Sequence, residues 1–190
     1  MANQKDLKNL YRDILASDVW AGSPDMVDWS VKKVAHIVQL SNGDIIAIDK
    51  PSIKKDFCFG YSDSRYDTKD YDRANDMAAH ARSSVDYFMQ ENLAGLDSTI
   101  AQLSGTDGRF VPHIRIPYSG QSKDSKLKAI QWYGRWDDNK DKYPALTGDD
   151  LQRVIDGYKI VRDGFVKRLN TYLKRYGLQH VNSWSYWRDA

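Results

Sequence analysis

Hydrophobic positions change their period several times along the chain. Over residues 5–16, Leu7, Leu10, Tyr11, Ile14 and Leu15 recur at helical spacing, which predicts a short amphipathic helix before a turn around Gly22, Ser23 and Pro24. Residues 31–40 and 44–49 are rich in Val and Ile and flank Ser41-Asn42-Gly43. Asn-Gly supplies the positive φ of a tight turn, so an early β-hairpin over about 31–50 is expected. Pro51 has no N–H for a ladder and ends the second strand. The mixed aromatic and polar run that follows, 52–66, reads as an ordered loop or a continuing strand.

From about residue 70 the period becomes helical. Ala74, Met77, Ala78, Ala81, Val85, Phe88, Met89, Leu93, Leu96, Ile100 and Leu103 form one apolar stripe, predicting a long helix over about 70–103 with Asp67 or Thr68 as its cap and Gly95 as a point of interruption. Residues 103–128 are loop-like, with a short strand at 113–116; 129–136 is a further strand and 137–142 a polar turn. The strongest helical signal is 147–176, where Leu151, Val154, Ile155, Tyr158, Val161, Phe165, Leu169, Tyr172, Leu173 and Tyr176 fall within roughly 80° of one direction. Thr147 with Asp150 approximates a capping box, and Gly177 provides the stop. Residues 179–187 alternate as a final strand. No repeat, low-complexity tract or linker breaks the chain. The expected fold is one α+β domain over residues 1–190, an antiparallel sheet with the early hairpin packed against two long helices on one face.

Composition narrows the function classes. With 190 residues, 41% of them hydrophobic, the chain can bury a core, and no apolar run approaches the roughly 20 residues that a membrane span needs. The first ten residues alternate charged and polar side chains with single leucines and lack the apolar core of a secretory signal, so a cytosolic location is expected. Cys58 is the only cysteine and there are four histidines, so no internal disulfide, structural zinc site or cofactor is expected. The net charge of +2 is too small for a dedicated nucleic-acid wrapper. Its distribution is uneven: residues 60–100 carry four basic and eight acidic side chains (net −4), and residues 150–190 carry eight basic and four acidic (net +4). These segments either pack beside each other or present two surfaces of opposite sign.

Several side chains break their local pattern. Arg162 projects about 20° from the centre of the apolar stripe of its helix, where a charge requires a carboxylate partner or a functional reason. Ile160 lies on the opposite, polar face, near Gly157 and Gly164, which leave a side-chain-free strip able to admit another backbone or a partner. Asp76 and His80 stand one helical turn apart, a spacing that orients an imidazole as a base but brings no nucleophile with it. Residues 137–141 imitate the start of a calcium loop without its turn glycine or its bidentate glutamate. Trp132, Tyr133, Trp136, Trp184, Tyr186 and Trp187, with Lys167, Arg168, Lys174, Arg175 and Arg188, combine the residue types of base stacking and phosphate contact, which are equally those of protein hot spots.

Five segments carry a wider likeness: Asp49-Lys50-Pro51-Ser52-Ile53, Phe57-Cys58-Phe59-Gly60-Tyr61, Asp70-Tyr71-Asp72-Arg73-Ala74 running to Met77-Ala78-Ala79-His80-Ala81, Tyr172-Leu173-Lys174-Arg175-Tyr176-Gly177-Leu178, and Trp184-Ser185-Tyr186-Trp187-Arg188-Asp189. From about Ile45 onward the chain resembles a family of small accessory proteins carried by phages and plasmids of Gram-positive gut bacteria. Small proteins of such mobile elements include anti-CRISPR proteins that bind Cas9-type nucleases. The resemblance implies a non-enzymatic inhibitor, with no catalytic residue to carry over. A Cas9-type effector offers positively charged nucleic-acid channels, so Asp63, Asp67, Asp70, Asp72, Arg73, Asp76 and His80 are candidate partner contacts. Lys167, Arg168, Lys174, Arg175, Trp184, Trp187 and Arg188 are the candidate surface of the alternative, a DNA- or RNA-binding accessory protein. An enzyme built on His80 or Arg162 would need a convergence of groups that the linear pattern does not display.

Overall fold

A computed structural model describes residues 2–18, 23–51, 92–105, 110–116, 123–134, 137–138 and 140–175. The fold is α+β. In chain order the described elements are α1 (Gln4–Ser17), α2 (Pro24–Lys33), β1 (Val34–Gln39), β2 (Ile45–Asp49), α3 (Ala94–Leu103), β3 (Phe110–Arg115), β4 (Leu127–Gly134), a 3-10 turn (Lys140–Lys142) and α4 (Gly148–Arg175). None of the described helices is long and apolar enough to cross a membrane. The chain divides into two compact units, Met1–Lys50 with Thr99–Val161, and Pro51–Ser98 with Arg162–Ala190.

In the first unit α1 starts at Asn3, whose side chain accepts the N–H groups of Lys5 and Asp6, both at 3.0 Å. The helix α2 replaces what the sequence pattern reads as the beginning of a strand at residue 31. Ser23 caps it, Pro24 sits in its first turn, and Lys32 and Lys33 close its last turn, so both helix-end signals are in place. Val27 and Val31 are one turn apart and bury against α1, in a cluster with Leu7, Leu15, Val34, Ile37, Ile45 and Leu127. The hairpin is therefore shorter than expected, β1 beginning at Val34. Its loop has three residues: Gly43 N–H donates to the Leu40 carbonyl at 3.0 Å, Leu40 N–H donates to the Asp44 carbonyl at 2.8 Å, and Gly43 is left-handed, at φ 87°.

The sheet runs β1-β2-β4-β3. It is mixed, which corrects the antiparallel expectation. The pairs β1–β2 and β3–β4 are antiparallel, but β2 and β4 are parallel through Ile45↔Leu127 and Ile46↔Lys128. Parallel neighbours cannot be joined by a tight turn, and a long stretch of chain separates these two. Ser125 anchors the start of β4, donating from Oγ to Asp18 at 3.2 Å and accepting the Leu127 N–H at 3.2 Å.

Helices cover the unit's sheet on both faces. One face holds the α1–α2 cluster. On the other, α4 approaches so closely at Gly157 that a Cβ there would stand 2.7 Å from Val38 Cγ2 and 2.9 Å from Ile48 Cδ1. The strip of small residues on α4 thus admits side chains at Gly157, and they belong to the chain's own hairpin. Asp150 does not complete a capping box. Its carboxylate instead accepts from Ser41 N–H (2.9 Å) and Ser41 Oγ (2.7 Å), tying the start of α4 to the hairpin loop.

In the second unit the later half of α4 buries Phe165 and Leu169, and Leu93 is buried just ahead of α3. The expected helix over about 70–103 is described only from the π-type turn at Asn92 and Leu93 through α3, and its earlier part lies outside the described residues, as does the final strand over 179–187. The helix expected over 147–176 is described as α4 through Arg175, and Val154, Ile155, Val161, Phe165 and Leu169 of its apolar stripe are buried.

Gly157→Ala is expected to destabilise the protein by about 1–3 kcal/mol, because the added methyl meets two branched side chains below van der Waals contact. Gly164→Ala, whose Cβ meets nothing within 4 Å, is expected to stabilise by about 0.4–1 kcal/mol. Urea unfolding of the two variants beside the parent checks both signs.

Candidate functional site

The parallel pairing of β2 and β4 stops after two residue pairs, although β2 continues to Asp49 and β4 to Gly134. The strands part, and a cavity of about 500 Å³ opens between them. This is the carboxyl end of a parallel pair, where crevices in open sheets collect ligands. Ala47 and Asp49 line it from β2, Ile130 and Trp132 from β4, and Tyr158 from α4. Tyr11 and Leu15 of α1 and Thr99 of α3 also line it, and α2 turns Met26, Trp29 and Lys33 toward the opening while Val27 and Val31 face the core. Helical spacing dictates that division, since 26, 29 and 33 share one side of α2.

Met26 and Trp29 are 51% and 52% exposed, unusual for such large apolar groups. The Lys33 ammonium sits 3.4 Å from the centroid of the Trp29 ring, within cation–π range. Burial, and secondarily the Asp49 carboxylate, raises the pKa of Tyr158 above its ordinary value of 10.0. The cavity therefore joins aromatic walls to two ammonium groups, Lys33 and Lys128, and one carboxylate, Asp49, an arrangement suited to gripping a partner or ligand of mixed polarity. Among the described residues no three His, Cys, Asp or Glu side chains converge to hold a metal ion.

Of the residues singled out from the sequence, Asp63, Asp67, Asp70, Asp72, Arg73, Asp76 and His80 lie outside the described residues, as do Trp136, Trp184, Trp187 and Arg188. Lys167 and Lys174 are exposed on α4, two turns apart and on one side of the helix. Arg168 points elsewhere. Its guanidinium is half-buried, with its pKa lowered by burial, and Nη2 donates to the Pro51 carbonyl at 3.5 Å. Arg175 ends α4. Arg162 forms the ion pair its position demands, Nε donating to Asp97 Oδ1 at 2.6 Å, with Asp163 Oδ1 at 3.4 Å from Nη1. Hydrogen bonding to Asp97 is the main cause of its raised pKa.

Of the aromatic set, only Trp132 and Tyr133 lie among the described residues, and the two differ. Tyr133 is buried, edge-on to His113 and stacked with Tyr143, and His113 Nδ1 donates to the Tyr143 carbonyl at 2.8 Å. Trp132, one residue earlier on the strand, faces the cavity. Sequence reasoning missed Met26, Trp29, Lys33, Asp49 and Tyr158. The signal for the first three was present in the Ser-Pro-Asp helix start, which places them on one face. Nothing in linear spacing brings Asp49 and Tyr158 to them. No family model matches the chain, and no curated protein or solved structure is detectably similar to it.

Removing the Arg162 partner by Asp97→Asn is expected to cost roughly 1–2 kcal/mol, a charged hydrogen bond reduced by its partial exposure. Arg162→Met is expected to cost less, because the desolvated charge leaves with the bond; urea denaturation measures both. The neutral Tyr158 phenol is favoured in the folded state, so its contribution is complete below pH 10 and is lost as pH rises through the raised pKa. Parent stability should therefore fall more steeply above pH 10 than that of Tyr158→Phe, followed by circular dichroism across the alkaline range.

Proposed function

We propose that the protein acts by binding another macromolecule, as a mobile-element inhibitor of a Cas9-type nuclease in the bacterial cytoplasm. The observation that carries the binding reading is the α2 face, where Met26 and Trp29 stand exposed at the rim of a cavity with Lys33 over the indole. Tryptophan and methionine are enriched in protein interfaces, and a half-exposed indole held in place by a neighbour loses little freedom on docking. The choice of nuclease rests on the sequence resemblance. On that reading the acidic residues Asp63, Asp67, Asp70, Asp72 and Asp76 are the contacts for a positively charged nucleic-acid channel.

A second reading is favoured by one feature of α4. Lys167 and Lys174 are exposed on the same side of the helix, a spacing that serves contact with two phosphates of a nucleic acid.

Guide-directed DNA cleavage by a Cas9-type nuclease, with the protein titrated in, distinguishes the two. Expected are inhibition at stoichiometric protein and a loss of about tenfold or more in inhibitory strength for Trp29→Ala, equivalent to ~1.4 kcal/mol or more. Absence of inhibition, with DNA binding that weakens steeply with salt and is lost in the Lys167→Ala/Lys174→Ala double variant, would replace the first reading by the second. Absence of both activities would remove both.

A further inference from the structure

The two outer edges of the sheet are closed in different ways. Along β3, main chain does it: Ile114 N–H donates to the Pro144 carbonyl at 2.8 Å and Leu146 N–H to the Pro112 carbonyl at 2.9 Å. Along β1 a single side chain does it. The Gln4 carboxamide donates from Nε2 to the Ile37 carbonyl at 2.9 Å and accepts the Ile37 N–H on Oε1 at 3.1 Å. That donor–acceptor pair is what one residue of a neighbouring antiparallel strand would present. Gln4 Nε2 also lies 3.4 Å from His36 Nε2.

The next outward position is open. Leu40 bonds across the hairpin through its N–H and its carbonyl, so alternation directs the N–H and carbonyl of Gln39, like those of Ile37, away from β2. Among the described residues nothing bonds the Gln39 main chain on that side, and Gln39 is exposed. Strand edges are ordinarily blunted by charged side chains or proline, and Val34–Gln39 carries neither.

A groove of about 830 Å³ runs beside this edge, with Arg153, Asp156 and Ile160 of α4 among the residues lining it. Arg153 is paired with Asp150 at 3.1 Å, and Gln152 donates to Asp156 at 2.9 Å. Ile160 is left 55% exposed. Arg153 and Asp156 cancel in charge. Burial, and then Lys8, lowers the pKa of His36.

We propose that the outer edge of β1 takes up an extended, uncharged segment of a partner protein as an added strand, which pairs with Gln39, displaces the Gln4 carboxamide from Ile37 and sets an apolar side chain on Ile160. Only extended peptide main chain repeats donors and acceptors at the spacing this edge offers. The neutral groove disfavours a nucleic acid, which would require a cationic one. This surface shares no lining residue with the cavity between β2 and β4, so it does not depend on the nuclease reading.

The test is selection of a random heptapeptide phage library on the full chain, followed by synthesis of enriched peptides and calorimetric titration. Enriched sequences should alternate apolar, β-branched residues. They should bind Gln4→Ala about tenfold more tightly than the parent, since no carboxamide has to be displaced. Binding to Gln39→Pro should be at least tenfold weaker, because proline removes the outward N–H that the β1–β2 ladder does not use. N-methylation of the peptide at residues of one parity should abolish binding, and at the other parity leave it intact. This last measurement needs no change in the protein and decides the matter if Gln39→Pro does not fold. No enrichment over an unrelated control protein, or binding indifferent to the parity of methylation, would overturn the proposal. Equal affinity for Gln4→Ala and the parent would overturn the displacement of Gln4.

Discussion

Ile45 and Ile46 pair with Leu127 and Lys128 across a parallel junction only two residues long, and this junction joins two otherwise self-contained antiparallel ribbons into one sheet. Its partners are far apart in the chain, so bringing them together costs closure entropy that no local turn offsets. Burial supplies the compensation. Ile45 is fully buried and Leu127 nearly so, in the same cluster that receives α1 and α2. The Ile45 N–H donates to the Lys126 carbonyl at 2.7 Å beside that cluster, and the Asp18–Ser125 hydrogen bond holds the start of β4 beside the end of α1.

Because the junction is short, the strands separate beyond it, and the cavity between Asp49 and Trp132 is the geometric consequence. The same helix that seals the junction with Val27 and Val31 carries Met26, Trp29 and Lys33 on its other side. Core packing and the candidate binding face are thus coupled through α2: a change that rotated the helix to bury Trp29 would expose the valines. On the opposite face of the sheet, α4 is held at both the hairpin loop, through Asp150 and Ser41, and the hairpin body, through the close approach at Gly157. Any ligand entering between β2 and β4 meets Tyr158 on a helix that is already fastened at two points.

Periodicity exposed α1 and α4 because their stripes are long and bury on one side, and Asn42-Gly43 exposed the hairpin because few sequences tolerate a left-handed residue. It placed Arg162 in the apolar stripe, where a carboxylate partner or a functional reason was expected, and Asp97 is a carboxylate partner. It failed at α2, where Val31 adjoins Val34, Ile37 and Val38 and a β-branched run masked the end of a helix whose start signals were intact. It failed again at the strip of glycines on α4, since spacing along one helix cannot tell whether the surface opposite Gly157 is solvent, a partner or the chain's own strand.

The amino-acid sequence by itself determined the α+β class, the start of the last helix and the hairpin turn, and marked Arg162 as a charge needing a carboxylate partner or a functional reason, because each depends on the backbone preferences or burial of residues close together in the chain. The tertiary structure alone decided that β2 and β4 run parallel, that they part after two pairs, that Asp49, Tyr158, Trp132 and Trp29 surround one cavity, and that Gln4 caps the edge at Ile37. These are contacts between residues tens of positions apart. Their geometry is set by how whole elements pack, which no local pattern of hydrophobic and polar positions encodes.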